Sequence, residues 1–413
     1  MTEKRPVIDD FSTMLPDLMA APYAFYAGLR DAPPVFWAPR ERSWVLHRAA
    51  EVQVVLGDRS FRVAELSSIV GGICQRSGRS APGLTGLLSV FLPFINPPEH
   101  GLSRRYIKAV LNADRTEGFA PVIERIAQNL LTGGAAGGRF DAATGYADLL
   151  PPLFMGHFLG IPGQLVVDFV LQTAEMGRTF DRGCSPRYYA RMEEMIVARR
   201  APFRHLVAER RRSPGDDGLS RMIALADALR PMPEEVIADH AMFLIMAGSE
   251  NTSALIGNAI AATVGAAPGC DLSGADDGDF RAAVEEALRC DSPVQQMWRI
   301  ASSAQTLGGA QIAAGDQLLL LIGAANRDPA TNPDPDRFDP QRGNRRSFGF
   351  GLGMHYCLGS EIALLEAQIA LRQIVRRQPR RDPDHAFSWR DRQTLRRPLR
   401  LPLILSPNES LRP

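Results

Sequence analysis

Apolar side chains recur every three to four residues along most of this chain, the spacing that gathers them on one side of an α-helix. The repeat predicts helices over about 102–112, 117–132, 189–212, 233–266, 280–290 and 361–377. The 233–266 candidate is the longest, and it opens on Pro233 followed by Glu234 and Glu235, residues that suit the first turn and the positive end of a helix. At roughly 1.5 Å per residue it runs about 50 Å. Strand signals are fewer: Val35-Phe36-Trp37 and Trp44-Val45-Leu46 flank a polar turn, and Gln311-Ile312 and Gln317 to Ile322 flank Ala-Ala-Gly-Asp. Two hairpins are therefore expected, and the fold class reads as mostly α with a small β part. Leu149 to Val167 carries no formal charge and is long enough to span a bilayer. Pro151, Pro152, Pro162, Gly156, Gly160 and Gly163 interrupt it, so helix, turn, helix is expected there and no membrane span.

Composition narrows the function classes. The 413 residues include 47 Lys+Arg and 46 Asp+Glu, a net charge of +1, which argues against an electrostatic nucleic-acid binder. Apolar residues make up 45% and charged residues 23%, ordinary values for a globular chain. The length suits two or three domains, yet no Ser/Gly-rich or charged linker marks a boundary, so one unit over 1–413 is expected. The five cysteines (Cys74, Cys184, Cys270, Cys290, Cys357) are irregularly spaced, with no Cys-x-x-Cys pair. With no signal-peptide pattern in MTEKRPVIDDFSTML, a reducing, cytoplasmic location is expected.

The stretch richest in chemistry is Phe350-Gly351-Leu352-Gly353-Met354-His355-Tyr356-Cys357-Leu358-Gly359, directly ahead of the 361–377 helix. A lone cysteine is most often a small buried hydrophobe. Here three glycines let the backbone approach a flat ligand closely, and the positive helix end favours a thiolate over a thiol. A soft, anionic ligand of that kind is what a haem iron takes axially.

On these residues the chain resembles the cytochrome P450 family, whose haem-ligand signature is Phe-Gly-x-Gly-x-His/Arg-x-Cys-x-Gly. The resemblance implies haem b as cofactor, Cys357 as its axial ligand, Phe350 beside the ligand loop and His355 at a propionate. Four Glu-x-x-Arg pairs occur: Glu175/Arg178, Glu209/Arg212, Glu286/Arg289 and Glu409/Arg412. Only Glu286-Ala-Leu-Arg289 ends a helical run that continues into Asp291-Ser292-Pro293-Val294 as the family pattern does, which implies a structural ion pair behind the haem. Pro97-Pro98-Glu99-His100 with Arg104, Asn326-Arg327-Asp328-Pro329 and Pro335-Asp336-Arg337-Phe338 extend the match, and imply that His100, Arg104 and Arg299 face the propionates. Asn96 departs from the family's frequent Asp.

Within the longest helix, Ala247-Gly248-Ser249-Glu250-Asn251-Thr252-Ser253 breaks an apolar run. A satisfied polar patch or a hydrated distortion would explain it. The family pattern Ala-Gly-x-Asp/Glu-Thr implies instead a place where oxygen enters and protons are delivered. Ala247, Gly248 and Glu250 match, but Asn251 stands where the family has Thr. One residue along a helix is a turn of about 100°, so Thr252 is expected to aim elsewhere. Protons would then come through a water held by Asn251, through Glu250, or from a hydroxyl of the substrate.

By family position the substrate pocket draws on Leu84, Leu88, Phe91, Phe94, Phe243, Met246, Val294, Gln295, Gln296 and Met297. That lining suits a bulky, largely apolar molecule with a few polar groups, of the terpenoid, polyketide or modified-peptide kind. The chain has no flavin or nicotinamide fingerprint, so electrons are expected from an external ferredoxin and its reductase. Arg104, Arg105 and Lys108 with Arg345, Arg346, Arg372 and Arg376 offer such a partner a basic face. Three activities are compatible with these residues: a monooxygenase that hydroxylates its substrate using O2; the same oxidant turned to desaturation, coupling or multi-step oxidation; and a non-catalytic haem protein.

Overall fold

The computed structural model describes residues 6–15, 18–19, 21–111, 116, 118–134, 138–181, 183–229, 231–265 and 272–406. In chain order its longer helices are α1 (Pro22–Gly28), α2 (Ala49–Gly57), α3 (Leu66–Arg76), α4 (Pro82–Ser89), α5 (Glu99–Leu111), α6 (Ala120–Gly134), α7 (Leu150–Leu159), α8 (Gly163–Thr173), α9 (Pro186–Arg212), α10 (Gly218–Leu229), α11 (Glu234–Gly265), α12 (Asp277–Cys290) and α13 (Ser360–Val375). The six predicted helices match α5, α6, α9, α11, α12 and α13. The segment after Leu149 is helix, turn, helix, with Gly160 closing α7 in the left-handed region (φ 68°). Among the described residues no helix is long and apolar enough to cross a membrane. Cys270 lies outside the described residues, and Cys74, Cys184, Cys290 and Cys357 form no disulfide. Two compact units are present, one drawn from 1–62, 123–148 and 251–413, the other from 63–122 and 149–250. Two of the chain crossings between them fall inside α6 and α11, where no linker composition could mark them.

The first unit is built on a five-stranded sheet ordered β1-β2-β8-β5-β3: β1 (Val35–Ala38), β2 (Ser43–Leu46), β8 (Gln317–Leu321), β5 (Gln296–Ala301) and β3 (Phe61–Arg62). β1 and β2 form the expected hairpin, with Val35 opposite Leu46. The second expected hairpin does not form. β7 (Ala310–Ile312) pairs with β6 (Gln305–Leu307), and β8 runs parallel to β2 and antiparallel to β5. Leu318 to Leu321 explain the difference: all four are fully buried, so this strand needs apolar cover on both faces and takes the centre of the sheet. Leu318 and Leu320 join Trp44, Leu46, Phe61 and Phe348 on one side, while Leu319 and Leu321 join Phe11, Phe36 and Val45 on the other.

Beside this sheet, Glu286 and Arg289 of α12 are wholly buried and bonded at both ends of the carboxylate (2.9 and 2.8 Å). Arg289 also donates to the carbonyls of Asn326 (3.1 Å), Pro335 (2.8 Å) and Arg337 (3.0 Å), and Glu286 accepts from Asp339 N–H (3.0 Å) and Arg342 Nε (3.2 Å). Arg342 was not anticipated from the sequence. Of the other Glu-x-x-Arg pairs, Glu209 meets its neighbour Arg210 at 3.6 Å and is half exposed, Glu175 meets Arg191, and Glu409/Arg412 lies outside the described residues.

The second unit packs α3–α5 and α7–α10 with the first part of α11. Asn96, ahead of α5, accepts from Val63 N–H (3.1 Å) and donates through Nδ2 to Val63 O (3.0 Å) and Glu65 Oε1 (3.1 Å). A carboxylate could accept but not donate there, so an amide rather than the family's Asp meets both the N–H and the C=O of Val63.

Removing one member of the buried pair strands a charge. Glu286→Ala or Arg289→Ala is expected to cost about 3–5 kcal/mol, whereas Glu209→Ala costs at most about 1 kcal/mol. Asn96→Asp is expected to cost about 1–3 kcal/mol by setting a carboxylate against a carbonyl. Melting temperatures of the four variants check the ordering.

Candidate active site

Cys357 lies on a loop folded by its own backbone. Phe348 N–H donates to Asn326 Oδ1 (2.7 Å), Gly351 N–H to Phe348 O (2.8 Å), Tyr356 N–H to Gly353 O (3.1 Å) and Cys357 N–H to Phe350 O (3.0 Å). Gly351 and Gly353 sit in the left-handed region (φ 71° and 66°), and a Cβ on Gly353 would stand 2.7 Å from Leu56 O. The third loop glycine, Gly359, is the N-cap of α13 with an ordinary φ of −97°. The loop is thus pressed onto its own unit while Cys357, two residues before that cap, remains exposed. His355 ends a short 3₁₀ turn and is half-buried, and Phe350 meets Tyr356 edge-on at 6.4 Å.

Strand β5 supplies the charge. Its alternation turns Met297 and Arg299 to one face and Gln296 and Trp298 to the other. Met297 packs on the sheet core, with its Cε 4.0 Å from the place of a Gly351 Cβ, so Arg299 shares the face of the cysteine loop. Arg299 is only 7% exposed. Its guanidinium donates to Trp298 O (2.8 Å), no carboxylate among the described residues pairs with it, and burial pulls its pKa down to about 10. A buried guanidinium in this state calls for an anion. The donor set agrees with haem on the other side: among the described residues no cluster of three His, Cys, Asp or Glu could hold a bare metal ion. One exposed cysteine would fit an iron whose remaining ligands come from a porphyrin, and a propionate would neutralise Arg299.

The neighbouring pocket candidates divide. The amide of Gln295 accepts from Tyr26 (3.2 Å) and donates to Tyr23 (3.0 Å) and Ser292 O (2.7 Å). Gln296 is buried beside Leu321, and Val294 is half-buried and bridges to Leu395.

α11 stays helical through the polar segment. Ala247 and Asn251, one turn apart, are its exposed positions; Met246, Gly248 and Glu250 are half-buried; Ser249, Thr252 and Ser253 are buried. The open side therefore runs through Ala247 and Asn251, and Thr252 turns into the packing, as the rotation argument requires. Gly248 has a second reason to be glycine, because a Cβ there would stand 2.9 Å from Met155 Sδ of α7.

In the second unit, His100 and Arg104 stand one turn apart on α5. His100 is buried, and burial, then the charge of Arg104, holds its imidazole below its usual pKa. Leu84, Leu88, Phe91 and Phe243 are buried, while Phe94 is half-buried. Phe91 meets Phe243 at 4.8 Å, and Phe180, which the sequence did not single out, contacts Phe91 (5.8 Å) and stacks on Phe94 (5.3 Å).

The family model for cytochrome P450 matches residues 280–384. Erythromycin C-12 hydroxylase of Saccharopolyspora erythraea is 31% identical over 84% of this chain and 85% of its own. Mycinamicin IV hydroxylase/epoxidase of Micromonospora griseorubida is 30% identical over 88% and 90%. P450BioI, solved in complex with an acyl carrier protein bearing hexadec-9Z-enoic acid, superposes with a TM-score of 0.85 and 27% identity over 94% of this chain and all of that one. The cysteine loop, the buried Glu286–Arg289 pair and these relatives agree: the chain belongs to the cytochrome P450 family and is a haem-containing monooxygenase that works with O2, a substrate and a redox partner.

Proposed function

We propose that this enzyme hydroxylates a bulky, largely apolar natural product in the bacterial cytoplasm, with electrons from a ferredoxin and its reductase. The observation that carries the haem assignment is Arg299, a buried cation on the cysteine-loop face whose missing anion a propionate supplies. In this reading Cys357 ligates the iron, Phe350, Gly351, Gly353 and Gly359 shape the loop beneath it, and His355, His100, Arg104 and Arg299 pair with propionates. Glu286 and Arg289 keep the loop in place. Bound haem supplies the oxygen activation that inserts one atom of O2 into a C–H bond.

The chain's own part on the oxygen side is to hold a proton source. Asn251, exposed on the open side of α11, can donate to and accept from one water, and Ala247 one turn before it leaves room for that water. Glu250 beside it can resupply the proton. Leu84, Leu88, Phe91, Phe94, Phe243, Met246, Val294 and Met297 would shed water around an apolar substrate. Hydroxylation of a natural product gains support from the two relatives named for oxidising erythromycin and mycinamicin IV. Exposed Lys108 and Arg346 supply positive charge for an acidic ferredoxin, whereas Arg345 is engaged by Glu285 (3.1 Å).

A screen for compounds that shift the haem from low to high spin, followed by turnover under ¹⁸O₂, tests the proposal: the product should gain one labelled oxygen. A product that gains none overturns the hydroxylation reading. Asn251→Ala is expected to lower the coupled rate by one to two orders of magnitude, roughly 1.4–2.8 kcal/mol, with electrons diverted to hydrogen peroxide. Asn251→Thr should keep coupling. Arg299→Met is expected to weaken haem retention about tenfold while leaving the melting temperature of the haem-free chain unchanged or higher, because it removes a buried charge that the protein alone does not neutralise. Haem titration and melting of the apoprotein check both arms.

A further inference from the structure

Helix α4, Pro-Gly-Leu-Thr-Gly-Leu-Leu-Ser, is poorly equipped to hold itself together. It has eight residues, two of them glycine, and its N-cap Ala81 offers no side-chain acceptor. Glycines and the missing cap both disfavour a helix of this length. The acceptors come from another helix. Glu193 of α9 takes the N–H of Gly83 (2.9 Å) and of Leu84 (2.6 Å), a cap supplied across the packing. From the same helix, buried Arg200 donates through Nη2 to Gly83 O (2.6 Å) and to Asp239 Oδ2 (3.1 Å), and through Nε to Asp239 Oδ1 (2.7 Å). Asp239 belongs to α11 and is 3% exposed. Glu235, one turn earlier on α11, adds a contact at 3.1 Å from the solvent side.

The glycines make this approach possible. A Cβ on Gly83 would stand 2.8 Å from Val197 Cγ2 and 3.0 Å from Glu193 Oε1, and one on Gly86 would stand 3.6 Å from both Arg200 Nη2 and Asp239 Oδ2. Asp239 also lies four and seven residues before Phe243 and Met246, on one face of α11. Three helices thus meet at one buried ion pair, next to the α4 residues Leu84 and Leu88 and the Phe91–Phe243 contact.

We propose that Glu193, Arg200 and Asp239 are positioning residues for substrate selection: they lock α4 to α9 and α11, so that the pocket segment 82–94 discriminates bulky ligands by shape. The proposal rests on the reading that this segment lines the substrate pocket. Losing the lock leaves a two-glycine helix that must be reordered each time a bulky ligand binds, and that cost does not fall on a small ligand.

Glu193→Ala is the informative variant, because the half-buried Glu193 leaves no buried charge behind when it goes. Two measurements are made on the haem-loaded protein. Hydrogen exchange of the α4 amides should rise about tenfold or more in Glu193→Ala, with exchange in α12 unchanged and Glu193→Gln, which keeps one acceptor, in between. In spectral titrations clotrimazole, a bulky azole, should bind about fivefold or more weakly, while imidazole stays within about twofold of the parent protein. Unchanged α4 exchange overturns the lock, and equal weakening of both azoles overturns its role in selection. A parent protein whose spectrum responds to neither azole would count against the haem reading instead, and α4 exchange would still decide the lock.

Discussion

The buried bond between Glu286 and Arg289 is the interaction from which the rest of the catalytic side is suspended. Neither residue reaches solvent, so each needs the other. Arg289 spends its remaining donors on three carbonyls, among them that of Asn326. The side chain of Asn326 then takes Phe348 N–H, Phe348 O takes Gly351 N–H, and Phe350 O takes Cys357 N–H. Hydrogen bonds and the short backbone between them therefore lead from an ion pair in α12 to the backbone of Cys357. An exposed pair, worth at most about 1 kcal/mol, could not anchor such a series.

Against that anchored loop the structure sets a charge that the described residues do not neutralise. Arg299 is buried without a carboxylate among the described residues. Cys357 is exposed at the start of a helix, where a negative charge is favoured. A propionate would neutralise Arg299, so the haem assignment draws on burial and charge as well as on likeness to known relatives.

Much of this could be read from the sequence, and what could not has physical reasons. The long helices showed because their apolar repeat is local, and the cysteine loop showed because its glycines and cysteine act within ten residues. The partner of β8 did not, because a strand buried on both faces carries no alternation to say which neighbours it takes. The bonds of Gln295 to Tyr23 and Tyr26 did not show, because these partners lie some 270 positions earlier in the chain. Arg342 stands 56 positions from Glu286, and Glu193 and Arg200 stand 110 and 39 positions from Gly83 and Asp239, so no local pattern reveals these bonds. The one-residue offset between Asn251 and Thr252 was legible, because a helix turns by a fixed angle per residue and only one of the two can occupy the open side.

The central claim is that Cys357, held by this hydrogen-bonded loop, is the iron's axial ligand. Its most direct test is the absorption spectrum of the reduced carbon monoxide complex, recorded for the parent protein and for Cys357→Ser at matched haem content. The account predicts the red-shifted Soret band of thiolate ligation in the parent protein and its loss in the variant. A variant that keeps the band would contradict the account and place the ligand elsewhere.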